Sequence, residues 1–465
     1  MVNFHCDNEL INRAARIALG DIWSNFIPFQ DGILQEKKIC VMAGIDYDTP
    51  WTRDTAINTV NAVAIMAPEI AKNTMLSVLE EKDGVIRVGG QYWDKVLWII
   101  AADRFCDISG EEDFREFALE VADHTLAQME QEEWDPEDGL FRGPAVYGDG
   151  VAAYPDRYTQ TEKGFSGILE WVAENPDARV NTGYGIPMKA LSTNLAYYET
   201  YRACIAMVEK SDNGNGTAEK WKNKAQEWQR KAEKLKEAVN LNFWNEETGR
   251  YDYLFDQVDR CDYAEAIGLS FAILFGVADE EKTKRIIDNT YVSEEGIPVV
   301  WPAFPRYYRE ETLSNGEKRQ HYGRHSGTIW PHAQGFWALA MRKAGYGKGF
   351  DREFMTMAKR AVRDMQFAEI YHPDTGEIYG GLQELWQDII LWDSCSKQTW
   401  SATAFWAMIF YGIAGIQYSG QNITVDPYLP EGINEACLSG LPVGDHTVSI
   451  HIVRDATGAC KAEIK

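Results

Sequence analysis

Apolar residues recur at intervals of three and four along most of this chain, the period of an amphipathic helix. The pattern predicts twelve helices, at about 7–22, 54–66, 68–81, 92–107, 112–131, 189–210, 216–242, 262–276, 280–290, 326–344, 351–370 and 397–414. Punctuation agrees at several ends. Pro68 suits a first helical turn, where its missing N–H costs nothing. Asp212-Asn213-Gly214-Asn215-Gly216 reads as a loop between two helices. Gly345 and Gly347 close the helix that begins near Ser326. After about residue 418 the period changes to two. Ile423-Thr424-Val425 and His446–Val453 alternate like strands, with Pro and Gly between them.

Twelve helices joined alternately by short and long connections predict six helical hairpins. Closed into a ring, they form an all-α (α/α)6 barrel over residues 1–417, with a small β appendage over 418–465. A superhelical repeat array is the structural alternative, and no fixed-period repeat supports it. One end of such a ring carries the long loops, and function concentrates there. Those loops, at about 23–53, 132–164, 175–188, 291–325 and 371–396, hold Trp51, Trp134, Tyr154, Tyr158, Trp301, Tyr307, Tyr308, Trp386 and Trp392. Aromatic faces beside fixed charged groups suit a sugar ring, which has apolar C–H faces and a belt of hydroxyls.

Charge narrows the partners. The chain carries 46 basic and 71 acidic side chains, a net charge of −25. Nucleic acids and anionic membranes both require a basic face, so neither is expected. No apolar run approaches the roughly 20 residues of a membrane span. The N-terminus shows no basic-then-apolar leader. Eight scattered cysteines without CxxC spacing read as reduced thiols, and the expected location is cytoplasmic. The oligomeric state is not encoded in any pattern.

Trp51-Thr52-Arg53-Asp54 places an indole, a cation and an anion within four residues. Asp54 could simply cap the following helix, but that leaves Arg53 and Trp51 unexplained. A guanidinium beside a carboxylate can hydrogen-bond vicinal hydroxyls as donor and acceptor at once. Near the other end, Gly381-Leu382-Gln383-Glu384-Leu385 places a carboxylate in a glycine-led, Trp-rich loop. Glycosidic cleavage needs a second acid, and Asp156 in Tyr154-Pro155-Asp156-Arg157-Tyr158 is the candidate. Asp149 and Glu162 are its substitutes, because Arg157 would depress a neighbouring carboxyl, the wrong direction for an acid.

These segments resemble known enzymes. Trp51-Thr52-Arg53-Asp54-Thr55-Ala56 is similar to the motif of glucoamylases and of the amylo-1,6-glucosidase part of glycogen-debranching enzymes. Phe243-Trp244-Asn245 with Gly249-Arg250-Tyr251-Asp252, His325-Ser326-Gly327-Thr328-Ile329-Trp330-Pro331, and Glu384 followed by Cys395, Gln398, Trp400 and Ser401 resemble further stretches of the debranching group, in the same order. The resemblance spans most of residues 50–402 and is to the six-hairpin glycosidase superfamily. It implies an inverting, exo-acting glycoside hydrolase on a short α-linked sugar, with glucose at the cleaved end. It implies Glu384 as general base, with Asp388 and Asp393 as nearby competitors, and Asp156 as general acid. Arg53 and Asp54 would fix the terminal sugar. Trp51, Tyr92, Trp93, Arg157, His325, Trp330 and Gln398 would complete the pocket. The chemistry requires no cofactor; the expected partner is a small carbohydrate.

His321, His325 and His332 are the one histidine cluster. Gly323 and Gly327 interrupt any helix there and no HExxH is present, so no metal is expected. Gly345-Tyr346-Gly347-Lys348-Gly349 follows a helix rather than a strand and reads as a loop, not a phosphate cradle. Three other functions fit parts of the pattern. A sugar epimerase on the same toroid would present His325 or His332 at the pocket floor instead of Glu384. A noncatalytic glycan-binding helical module would lack two facing carboxylates. Phosphorolysis would show itself as activity dependent on added phosphate.

Overall fold

The computed structural model describes residues 2–91, 93–159, 167–211, 217–386, 388–419 and 422–465. Its helices follow the apolar periodicity closely. They are α1 (Glu9–Ser24), α2 (Thr52–Asn58), α3 (Pro68–Ser77), α4 (Asp94–Ser109), α5 (Glu112–Glu133), α6 (Ile168–Glu174), α7 (Leu191–Glu209), α8 (Thr217–Phe243), α9 (Ala266–Leu274), α10 (Glu280–Asn289), α11 (Pro331–Lys343), α12 (Gly347–Asp364) and α13 (Thr399–Ala407). Helix α2 runs on through a π-helical turn, Thr59–Val63, to Met66, and α13 through another, Met408–Ile413. Each predicted helix has its counterpart; α6 is additional. Pro68 and Pro331 both occupy first turns. Gly347 opens α12 instead of closing α11. The predicted loop Asp212–Gly216 lies outside the described residues.

Two classes of helix alternate along the chain. Every residue of α13, Thr399–Ala407, is buried, and so is Ala266–Ile273 of α9. A helix that is apolar all round must be enclosed on all sides. In α10, by contrast, only Ile286 is buried. The enclosed class packs in succession: α2 on α4, α4 on α7, α7 on α9, α9 on α11, α11 on α13, and α13 back on α2. The amphipathic class lies outside it, with α3 and α5 on α4, α8 on α7, α12 on α11, and α1 on both α12 and α13. The N-terminal ends of the enclosed helices therefore converge at one end of the molecule and their C-terminal ends at the other.

The terminal sheet departs from the sequence expectation in one respect. Its strands β4 (Glu435–Val443), β5 (His446–Arg454) and β6 (Cys460–Ile464) are antiparallel neighbours, but a fourth strand, β1 (Asn3–Cys6), comes from the N-terminus and pairs with β4. Four residues are too few to show a period, which is why the pattern missed it. Asn12 of α1 ties β1 down, accepting from the Cys6 N–H at 2.8 Å and donating to its carbonyl at 2.9 Å. Phe4, Leu438, Leu441, Ile450 and Ile452 join the same continuous apolar core as the helices.

A shared core should unfold as a unit. Leu438, 1% exposed, loses its packing in Leu438→Ala, at a cost of about 2–5 kcal/mol. The expected result is a lower midpoint for the main urea transition, followed by circular dichroism at the helical band. A separate early transition with the helical signal unmoved would contradict it.

Candidate active site

The N-terminal ends of the enclosed helices surround a cavity of about 390 Å³. Trp51, Arg53 and Asp54 enter it from the start of α2, Gln91 from just before α4, Trp330 from the start of α11, and Gln398 and Trp400 from the start of α13. Long loops add Tyr47, Tyr147, Asp149, Arg324, His325, Glu369, Gln383 and Trp392, and α6 adds Glu170. First helical turns suit carboxylates, because the free N–H groups there carry partial positive charge.

Arg53 organises one wall. Its Nε lies 3.1 Å from Asp94 Oδ1 and its Nη2 2.9 Å from Asp149 Oδ2. Burial disfavours its charge, yet Asp94 and Asp149 outweigh that and hold the guanidinium above its usual range. Asp94 has no access to water and burial pushes it well up, against the pull of Arg53. Asp149 is enclosed by protein, but as a cavity wall its side chain is 42% exposed. Burial would raise it; the Arg53 charge and hydrogen bond prevail and hold it at about 2. His325 Nε2 is 3.9 Å from Asp149. Burial pulls His325 down to about 3, so it is a neutral imidazole, stacked on Trp330 at 4.5 Å.

Glu369 organises the opposing set. It is 3% exposed. Arg324 Nη2 donates to its Oε2 at 2.6 Å, the Cys395 N–H at 3.3 Å, and Tyr47 to Oε1 at 3.4 Å. Arg324 is itself fixed by the carbonyls of Gly380 and Asp393 at 3.3 and 3.1 Å, and Trp330 donates to its own carbonyl at 2.7 Å. Asp54 lies within reach of both systems. Burial raises it to about 7, and the charges of Glu369 and Asp149 add to that against Arg53.

The other expected site residues fall elsewhere. Glu384 sits on strand β2 (Leu382–Leu385), which pairs with β3 (Asp388–Leu391). Successive strand side chains point to opposite faces. Gln383 lines the cavity, so its neighbour Glu384 turns away, accepting from the Tyr307 hydroxyl at 2.5 and 2.7 Å and from Arg306 at 3.2 Å. The glycine lead of this hairpin serves close approach: a Cβ on Gly381, at φ +85°, would come within 2.4 Å of the Arg324 backbone. Asp156 is 67% exposed and paired to the same Arg306 at 2.7 Å. Neither carboxylate lines the cavity. Arg157 is spent on Asp256 at 2.7 Å, and Trp93 is buried with its indole N–H on the Arg142 carbonyl at 3.0 Å. Tyr92 and Glu162 lie outside the described residues.

Of the expected set, Trp51, Arg53, Asp54, His325, Trp330 and Gln398 line the cavity, joined by the substitute acid Asp149. Glu369 was not anticipated. A signal existed: Phe367-Ala368-Glu369-Ile370-Tyr371 isolates one charge in an apolar run, and such a charge is buried only with a partner. His321 pairs with Glu311 at 2.8 Å, away from His325. Among the described residues no group of three or more His, Cys, Asp or Glu has the arrangement of a metal site, and no helix is long and apolar enough to cross a membrane.

Comparison with known proteins gives concordant results. The family model described as "Mannosylglycerate hydrolase MGH1-like glycoside hydrolase domain" matches residues 137–401. Among solved structures, a GH63 mannosylglycerate hydrolase from Thermus thermophilus, in complex with Tris and D-glycerate, is similar with a TM-score of 0.55 and 14% identity, covering 84% of this chain and 99% of that one. A structure named only as a sialidase has a TM-score of 0.69 and 13% identity over 100% of this chain. A GH78 rhamnosidase of a Bacillus species has a TM-score of 0.57 and 18% identity over 100%. This chain spans 40% and 41% of the length of those last two. At such identities the likeness is one of fold. No curated protein matches the sequence.

The raised carboxyl of Asp54 has a consequence for stability. A group whose folded value lies above its unfolded value favours the fold when protonated, and that contribution is lost as pH rises through the folded value. For Asp54 the window runs from about 4 to about 7. Asp54→Asn removes the buried charge, so the variant should melt above the parent at pH 8 and lose that advantage progressively as pH falls to about 4. Thermal melts across pH check this; an advantage largest at pH 5 would contradict it.

Proposed function

We propose that this chain, which belongs to the mannosylglycerate hydrolase MGH1-like glycoside hydrolase family, hydrolyses a short α-linked glycoside from its sugar end with inversion of configuration. The catalytic body is an (α/α)6 toroid over residues 1–417, and the residues from 418 on form a β appendage completed by the N-terminal strand. The observation that carries the reading is one cavity walled by two carboxylates, Asp149 and Glu369, each held by its own arginine.

In this reading Asp149 is the general acid and Glu369 the general base. Glu369, held in place by Arg324 at 2.6 Å, takes a proton from water while that water attacks the anomeric carbon. Asp149 must protonate the departing oxygen. The Arg53 pair opposes this in the empty cavity. A bound sugar strips water from Asp149 and competes for the Arg53 donors, and both changes raise its affinity for a proton. Asp54 and Arg53 then address sugar hydroxyls as acceptor and donor, and Trp51, Trp330, Trp392 and Trp400 supply apolar faces. A cavity of 390 Å³ is at the small end of ligand sites, roughly 300–1,000 Å³, which suits a hexose with a small aglycone. The likeness to a mannosylglycerate hydrolase favours a hexoside of a small hydroxy acid as the first substrate to try. The eight unpaired cysteines support a reducing, cytoplasmic location. An epimerase gains less support: His325 lines the cavity, but His332, its would-be partner, does not.

Two outcomes test the assignment. Glu369→Gln should lower turnover about 10²–10⁴-fold with substrate affinity retained, and Asp149→Asn should harm a natural glycoside far more than an activated aryl glycoside. Glu384→Gln with turnover as low as that of Glu369→Gln would return the base to the strand. For stereochemistry, proton NMR within minutes of mixing should show the β-anomer first from an α-linked substrate. A first-formed α-anomer would overturn inversion.

A further inference from the structure

A second cavity, of about 460 Å³, opens at the opposite end of the enclosed helices. Its walls include Leu97 and Ile100 of α4, Phe271 of α9, and Phe336 and Leu339 of α11, with Leu274, Arg342 and Lys343 from the C-terminal turns of α9 and α11. Most are apolar side chains on inner helices, where sealed packing is the ordinary outcome. Both π-helical turns meet here. Val60 belongs to one and Tyr411 to the other, and Tyr411 donates to the Val60 carbonyl at 2.9 Å. Such turns are rare and often mark functional sites. Tyr147 lines this cavity and the catalytic one, so it forms a shared wall.

Arg104, Arg342 and Lys343 line this mainly apolar space, and Arg104 stands apart from the other two. The Arg104 guanidinium lies over the Tyr411 ring at 5.0 Å. Among the described residues it makes no salt bridge and no hydrogen bond within ordinary limits. The carboxylates around it are engaged elsewhere. Asp103 and Asp107 pair with Lys210 at 3.4 and 2.7 Å, and Glu199 with Arg202 at 3.0 Å. Burial also lifts Glu199 to about 7, which weakens its claim on Arg104. The rim's other cations are occupied too: Arg342 holds Asp426 at 2.9 Å, and Lys343 donates to the Leu274 carbonyl at 2.6 Å. A guanidinium keeps its charge at any physiological pH and presents five donors. With the neighbouring carboxylates paired to other cations, it favours an anion that brings its own apolar body.

We propose that this cavity is a second binding site, for a small amphipathic organic anion whose carboxylate pairs with Arg104 and whose alkyl body lies against Leu97, Ile100, Phe271 and Leu339. The site is independent of the catalytic reading and holds whatever the enzyme's substrate proves to be.

Octanoate is the probe, with 1-octanol and octyltrimethylammonium as the neutral and cationic comparisons, in calorimetric titration of the whole chain. The expected result is saturable one-to-one binding of octanoate, at least about tenfold tighter than of octanol, and none of the cation. Arg104→Met keeps the side chain's bulk without its charge and should erase the preference for octanoate over octanol. Leu339→Trp fills the cavity, leaves Arg104 in place and should abolish binding, which decides the matter if the Arg104 variant does not fold. Absence of saturable octanoate binding, equal affinity for octanol, or binding undiminished in Leu339→Trp would overturn the proposal.

Discussion

Arg53 between Asp94 and Asp149 is the contact on which the rest depends. It joins the first turns of two adjacent inner helices, α2 and α4, and holds a loop carboxylate on the same cavity wall. A buried pair stripped of one partner costs about 3–5 kcal/mol, so these charges fix the relative placement of α2 and α4 as firmly as the apolar packing beneath. The same contact sets the chemistry. It holds Asp149 low in the empty cavity and leaves Asp54, one residue along the same helix, with too little positive charge to ionise fully at neutral pH. Arg324 repeats the arrangement for Glu369. Four carboxylates gathered round two arginines make a site that is poised but costly, and it can exist only where the enclosed helices already surround it.

The architecture was legible because it rests on repetition. The outer helices carry apolar stripes that read as a period of three to four, and α9 and α13, buried at nearly every position, read as largely apolar runs between turn signals. Strand β1 escaped because four residues carry no period and its partner lies over four hundred residues away. The Trp51–Asp54 segment was legible because all its chemistry is adjacent in sequence and a helix start fixes its direction. Glu384 stands outside the cavity for the reason that makes strands simple: one position along, Gln383 faces the cavity, and a carboxylate next to it faces away. Glu369 was hard to see because its partners, Arg324 and the Cys395 N–H, are distant in sequence.

The two ends of the helical ring differ in chemical character. At the N-terminal ends, long loops and free N–H groups gather charge and hydroxyl-binding groups around polar space. At the C-terminal ends the connections are short, and the space between the helices is mainly apolar, with Arg104 over the Tyr411 ring. Tyr147, packed 5.0 Å from His332, separates the two. The side chains that line each end follow from where the loops lie, since only long loops can carry enough polar groups inward to satisfy one another.

The central claim is that Glu369 occupies the face from which water attacks. Truncation to Glu369→Ala leaves a space beside Arg324 that a small anion can fill, so added azide should restore turnover. From an α-linked substrate the product should be the β-glycosyl azide, identified by its anomeric proton coupling. No rescue in Glu369→Ala, with azide instead restoring turnover to Glu384→Ala, would contradict the account and place the attacking face at the strand.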